Sequence, residues 1–164
     1  MPTIRPYSNM ALNADLIKVL PVSTTNGGIN STDIGRLVIQ SSNCYGLMPG
    51  STGDIHYNDA AVRIAGLVAD VPNAVTAAST VFYYIRPIVP FALYEADTTA
   101  AASSSDIGKY IGVSRTTTLA GARNLTMTGI GNAPGTTNGL FFRITDIDST
   151  RRKVIGTFSS THLV

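Results

Sequence analysis

The chain has 164 residues, of which only 13% are charged, and its formal net charge is +2. Its length fits one ordinary domain or two very small ones. The weak, dispersed charge argues against a nucleic-acid partner, and no run approaches the roughly 20 apolar residues of a membrane helix. Soluble domains usually carry about 25% charged residues, so neutral polar groups must cover this surface. Such a surface is easily desolvated against another protein, which favours a subunit of an assembly.

The first 14 residues predict an N-terminal arm. Residues 1–10 lack the apolar core of a secretory signal peptide, so we expect the protein to stay in the cytoplasm in which it is made. Within the arm, Ile4, Tyr7 and Met10 stand beside Arg5 and two prolines, which is too little to fold alone and too apolar for a simple solvated tail. We expect Ile4, Arg5, Tyr7 and Met10 to contact a partner protein, with plain disorder as the alternative. Residues 15–164 predict one β-rich domain.

Short runs rich in Val, Ile, Thr, Tyr and Phe follow the arm, separated by clusters of Gly, Pro, Asn and Asp. This pattern is typical of strands and turns. It predicts strands at residues 16–22, 37–40, 61–68, 80–85, 89–94, 110–113, 125–129, 140–147 and 154–158. Short strands with frequent turns favour an all-β fold, either a β-barrel or a β-sandwich.

One segment occurs twice. Residues 31–36 read Ser-Thr-Asp-Ile-Gly-Arg, and residues 104–109 read Ser-Ser-Asp-Ile-Gly-Lys. Each copy precedes a short strand, a loop rich in Gly and Asn, and a strand with the pair Arg-Ile, at Arg63-Ile64 and again at Arg143-Ile144. The same features in the same order predict an internal duplication, with units at 15–85 and 88–160.

The repeated segment predicts a structural turn. Asp33 and Asp106 can cap a single helical turn, together with the preceding Ser or Thr, by accepting bonds from free backbone N–H groups. Gly35 and Gly108 can then leave the turn with a positive φ and enter the next strand. A ligand site at either aspartate is the alternative interpretation.

Three motifs in the second half carry a family resemblance. Residues 91–97 read Phe-Ala-Leu-Tyr-Glu-Ala-Asp, residues 105–109 read Ser-Asp-Ile-Gly-Lys, and residues 142–148 read Phe-Arg-Ile-Thr-Asp-Ile-Asp. Their order resembles that in the decoration or cement proteins of tailed-bacteriophage capsids, which are small β-rich proteins encoded near the major capsid protein. The first half lacks the Asp-rich opening of that pattern.

The resemblance implies a structural virion protein that is made in the host cytoplasm and lies on the capsid surface. It implies binding to the major capsid protein on the outside of an assembled shell, stabilisation of that shell, and a homo-oligomer, commonly a trimer. A carbohydrate- or host-surface-binding β module of the virion is the alternative, because the seven tyrosines could stack on sugars although the chain has no Trp.

The sequence does not predict catalysis. A nucleophilic triad needs a histidine beside a carboxylate, and His56 and His162 are the only histidines. Cys44 has no second cysteine at metal-ligand spacing. The pair Asp146 and Asp148 is typical of a solvated hairpin corner. We therefore expect no enzyme activity, no cofactor and no metal.

Overall fold

The structure is a computed structural model, and it describes residues 4–20, 29–41, 44–48, 63–73, 82–98, 100–113, 125–131, 141–159 and 163. Eleven strands and one short helix lie in these ranges. They are β1 (Ile4–Pro6), α1 (Asn9–Leu12), β2 (Ile17–Val19), β3 (Leu37–Ser41), β4 (Cys44–Met48), β5 (Arg63–Asp70), β6 (Tyr83–Pro87), β7 (Tyr94–Asp97), β8 (Tyr110–Val113), β9 (Leu125–Gly131), β10 (Phe142–Asp148) and β11 (Lys153–Phe158). Two 3₁₀ turns, Ser31–Asp33 and Ser104–Asp106, precede β3 and β8.

The strands form two antiparallel sheets, which confirms the prediction of an all-β fold. The five-stranded sheet has the order β2-β6-β5-β3-β4, and the six-stranded sheet has the order β1-β7-β11-β10-β8-β9. The arrangement is a sandwich, and the described strands form no closed barrel. None of the helices in these ranges is long and apolar enough to span a membrane.

The two sheets repeat one topology. Without β1, the six-stranded sheet has the order β7-β11-β10-β8-β9, which is the order of the five-stranded sheet with five added to each strand number. A bulge falls at the same place in both copies, between Val68 and Asp70 in β5 and between Ile144 and Asp146 in β10. We refer to β2–β6 as the first unit and to β7–β11 as the second unit.

Hydrogen bonds correct one detail of the predicted repeat. The Gly35 N–H donates to the Val68 carbonyl, and the Gly108 N–H donates to the Ile144 carbonyl. Val68 is therefore the equivalent of Ile144, and the predicted match between Arg63-Ile64 and Arg143-Ile144 is wrong. The motif match failed because equivalence is set by hydrogen bonds between strands, and these make Leu67-Val68, four residues beyond Arg63-Ile64 in β5, the counterpart of Arg143-Ile144.

Apolar side chains cover both faces of the five-stranded sheet. Leu37, Ile64 and Leu67 belong to the large core that also contains the buried residues of the six-stranded sheet. Their neighbours Val38 and Val68 point to the opposite face and join a second core. Successive strand residues face opposite sides, so nearly continuous apolar runs are the expected sequence of a sheet covered on both faces.

The N-terminal segment belongs to the domain, which differs from the predicted arm. Ile4 is 1% exposed and Ala11 is 0% exposed, and both lie in the large core. Strand β1 pairs antiparallel with β7 at the edge of the six-stranded sheet. The sequence suggested an arm because of its prolines, but an edge strand tolerates Pro6, whose missing N–H can lie on the unpaired side.

Candidate protein-interaction surface

The two repeated turns have the predicted backbone geometry. Gly35 has a φ of 87° and Gly108 a φ of 88°, a region in which residues with a Cβ are strained. The carboxylate of Asp33 accepts the Asn30 N–H at 2.9 Å, and that of Asp106 accepts the Ser103 N–H at 2.8 Å. The residue before each 3₁₀ turn is therefore the cap, rather than the Ser or Thr within it.

Each aspartate also binds the cation that follows the glycine. In the first turn Asp33 Oδ1 lies 3.0 Å from Arg36 Nη1, and both side chains are 1% exposed. In the second turn Asp106 Oδ1 lies 3.4 Å from Lys109 Nζ, which is partly exposed. Hydrogen bonds from the Ser103 backbone, and then from its side chain and Lys109, lower the pKa of Asp106. These carboxylates hold the turns, so the turns are structural elements.

A set of exposed apolar side chains lies on the N-terminal segment and on the segment before β7 that is hydrogen-bonded to it. It consists of Tyr7, Met10, Leu12 and Phe91, which we call the apolar surface. Tyr7 and Met10, two of the predicted partner contacts, are 53% and 58% exposed. The other two predicted contacts differ: Ile4 is buried in the core, and the Arg5 guanidinium forms an ion pair with Glu95.

The segments that carry the apolar surface are fixed to each other and to the core. The backbone N–H groups of Tyr7 and Ser8 both donate to the Leu93 carbonyl, at 2.9 and 3.1 Å. The Leu93 N–H donates in return to Ser8 Oγ at 3.0 Å. On α1, Ala11 is buried in the core while Met10 is exposed on another face. The apolar surface is therefore presented by ordered backbone.

Phe91 is the part of this surface that sequence reasoning missed, because residues 89–94 were predicted as one strand. A turn occupies residues 89–92, closed by the Ala92 N–H donating to the Val89 carbonyl at 3.2 Å. The Tyr94 hydroxyl accepts the Val89 N–H at 3.0 Å and braces the turn. Pro90 followed by a residue of positive φ fits a type II turn, and the Pro90-Phe91 pair was the signal in the sequence.

Phe91 is an outlier in both conformation and exposure. Its φ is 65°, which is unusual for a bulky residue, and its side chain is 81% exposed. Glycine would fit this position without strain, so folding alone does not call for a phenylalanine. Backbone strain of this kind clusters at functional sites, and its combination with high exposure makes Phe91 the strongest candidate contact residue of the apolar surface.

Charged side chains form a compact network at the β1 edge of the six-stranded sheet. Glu95 on β7 binds Arg5 on one side, and on the other side its Oε1 lies 3.2 Å from Lys153 Nζ. Lys153 also lies 3.3 Å from Asp97. The network joins β1, β7 and β11. It fastens the N-terminal segment to the sheet, which explains the placement of Arg5.

A cleft of about 140 Å³ lies between β1 and the first unit. Its wall includes Ile4, Gly35 and Leu67, with Arg5 and Arg86 as the cationic members. Small-molecule sites usually measure about 300–1,000 Å³. Arg86 is already committed, because its guanidinium donates to the backbone carbonyls of Leu12 and Ala14. The cleft is therefore a packing feature of the sandwich.

The residues considered for chemistry fall into two groups. His56 and His162 lie outside the described residues, as does the side chain of Cys44. Asp148 accepts the Arg151 N–H at 3.0 Å in the turn between β10 and β11, as expected of a hairpin corner. The described part of the chain holds no group of three or more His, Cys, Asp or Glu residues suited to a metal ion.

Comparison with known proteins adds no family. No protein-family model, curated protein or solved structure matches this chain.

Proposed function

We propose that this chain is a structural protein of a phage virion that binds the outside of an assembled capsid and stabilises the shell. The family resemblance of residues 91–97, 105–109 and 142–148 motivates this proposal. The observation that supports it most strongly is the apolar surface, above all the exposed Phe91 with its positive φ. We further propose that the protein has no catalytic step, and that the major capsid protein is its partner in a homo-oligomeric assembly.

The apolar surface has the properties of a binding anchor. Aromatic side chains that fill a pocket on the partner dominate binding energy in many interfaces. The Phe91 side chain has few rotatable bonds, so it loses little conformational entropy on binding, and the Tyr94 hydroxyl holds its turn in place. A pre-ordered anchor loses less entropy on binding than a mobile one.

The low charge of the chain supports a contact that tolerates salt. Interactions between exposed charges are screened within roughly 8 Å at physiological ionic strength. Tyr7, Met10, Leu12 and Phe91 carry no charge, and burial of apolar groups does not depend on such screening. Binding through the apolar surface should therefore change little between low and moderate salt.

The test is cosedimentation of purified protein with assembled shells that lack it. The key variant is Phe91→Gly, which removes the aromatic ring and suits the positive φ, so the turn itself should be preserved. Its matched control is Phe82→Ser, which removes a half-exposed aromatic from a different edge. Loss of at least about tenfold in affinity for Phe91→Gly, equal to roughly 1.4 kcal/mol, is expected, with Phe82→Ser unchanged.

Three results would count against the proposal. These are cosedimentation of the intact protein at background level, equal binding by the wild type and Phe91→Gly, and binding to a glycan with none to the shell. The last would favour the alternative of a carbohydrate- or host-surface-binding module.

A further inference from the structure

The outer edge of β2 in the first unit corresponds to the edge of β7 in the second unit, and β1 occupies that edge of β7. In the second unit, β7 lies between β11 and β1. In the first unit, the equivalent strand β2 pairs with β6 and is the terminal strand of its sheet among the described strands. The three residues of β2 pair with positions of β6 that are equivalent to the positions of β11 with which β7 pairs. Ile17, Lys18 and Val19 are therefore equivalent to Tyr94, Glu95 and Ala96. The first unit therefore repeats the acceptor strand while the described residues provide no donor.

The charges at the two edges are reversed. Glu95 lies between two cations, with Arg5 opposite it on β1 and Lys153 on its other side. Lys18 occupies the equivalent position in β2, and Phe82 stands where the second unit has Lys153. The Lys18 ammonium lies 4.2 Å from the centre of the Phe82 ring. A cation–π contact of this kind holds the ammonium in place while leaving its charge unneutralised.

Apolar exposure marks the same edge. Ile17 is 47% exposed, whereas the equivalent Tyr94 is 0% exposed. Leu16, Leu20 and Phe82 are also exposed beside β2. In the second unit, the backbone of β1 and the residues after it lie along the corresponding edge. Exposed apolar residues on an unpaired edge strand promote pairing with another chain, and natural proteins usually protect such edges.

We propose that β2 is an acceptor for an extended segment of another protein, which adds a strand antiparallel to β2 as β1 does to β7. The segment carries an acidic residue opposite Lys18, flanked by apolar residues opposite Ile17 and Val19. Backbone hydrogen bonds supply the general attraction in strand addition, and alternate side chains supply the selectivity. Lys18 thus selects an acidic segment, as Glu95 selects Arg5 within the chain. This site is separate from the apolar surface and does not depend on the capsid role.

A peptide derived from the chain's own donor strand tests the proposal. The probe has the sequence of residues 1–8 with the change Arg5→Glu, and the control peptide keeps Arg5. Each is added at millimolar concentration to the complete, ¹⁵N-labelled protein, and backbone amides are followed by NMR. The Glu peptide should shift the amides of β2 and bind roughly two- to fivefold more tightly than the Arg peptide, the range expected for an exposed ion pair.

A charge reversal gives the matched test. The variant Lys18→Glu should reverse the preference and favour the Arg peptide, while Arg143→Glu, at an exposed cation of β10, should leave it unchanged. Both should keep the wild-type spectrum because neither side chain is buried. The acceptor proposal would be overturned by unshifted β2 amides with every peptide, by equal affinity for the two peptides, or by shifts confined to β7. None of these outcomes bears on shell binding through Phe91.

Discussion

The two copies of the repeated turn allow one interaction to be compared in two environments within the same molecule. Arg36→Met removes a guanidinium from a pair in which both side chains are 1% exposed. Lys109→Met makes the corresponding change where the lysine is 35% exposed. Methionine keeps an unbranched apolar stem in both cases. The two variants therefore differ mainly in the burial of the ion pair.

Burial decides the expected cost. Removing one partner of a buried pair costs about 3–5 kcal/mol, because the remaining charge is left without compensation. Lys109 is partly exposed, so water screens its pair with Asp106, and Asp106 keeps its hydrogen bonds from Ser103 when the lysine is removed. A screened pair contributes only about 0–1 kcal/mol. For a chain of this size, 1 kcal/mol corresponds to roughly 2–4 °C in Tm. Arg36→Met should therefore lower Tm by roughly 6–20 °C, and Lys109→Met by less than about 4 °C.

Calorimetry of the wild type and both variants at pH 7 measures these shifts. The double variant Asp33→Asn with Arg36→Met should regain part of the stability lost in Arg36→Met, since it no longer buries a lone carboxylate. The asparagine oxygen can still accept the Asn30 N–H. Similar losses for Arg36→Met and Lys109→Met, or a double variant no more stable than Arg36→Met, would refute this reasoning.

Three further predictions concern the turns and the N-terminal strand. An added Cβ at Gly108 would meet nothing within 4 Å, so Gly108→Ala should cost about 1–2 kcal/mol from backbone strain alone. Calorimetry should show a smaller loss for Gly108→Asn, and equal stability of the wild type and both variants would exclude strain. Ile4→Ala should cost about 2–5 kcal/mol in urea unfolding, against at most about 0.5 kcal/mol for the exposed Tyr7→Ser; a cost for Ile4→Ala as small as that for Tyr7→Ser would contradict the burial of β1. Because the pKa of Asp106 is lowered in the folded protein, its carboxylate stabilises the fold above its ordinary pKa of 3.8, and this stability is lost as pH falls through the folded-state pKa. The Tm of Asp106→Asn should therefore fall less than the Tm of the wild type between pH 7 and pH 3. An equal fall in Tm for the two proteins would contradict this prediction.

Local sequence patterns were sufficient where the structure depends on neighbouring residues. Strands β8 and β11 lie where alternating and β-branched residues placed them. The recurrence of Asp-Ile-Gly was sufficient to predict positive φ at Gly35 and Gly108, because only glycine leaves such a turn easily. The repeated topology was predictable for the same reason, since the turn precedes the second strand of each unit, β3 and β8.

Features that depend on distant parts of the chain were not predictable in this way. Ile4–Pro6 is too short to be recognised as a strand, and it becomes one only because β7 offers an edge about 90 residues further on. Arg36 and Lys109 look equivalent in sequence, but packing buries only one of them. The Phe91 turn lies within an apolar run, and Pro90, which marks the turn, was outweighed by the strand-forming residues on either side.

The temperature at which shells release their genome tests the proposed function most directly. Purified protein would be added to shells that lack it, at two salt concentrations, and its occupancy measured beside the release temperature. Ligand at one hundred times its Kd stabilises a site by about 2.7 kcal/mol. The capsid-stabilising role predicts a release temperature that rises with occupancy and depends little on salt, together with no binding to free capsid subunits. Full occupancy with an unchanged release temperature would contradict it.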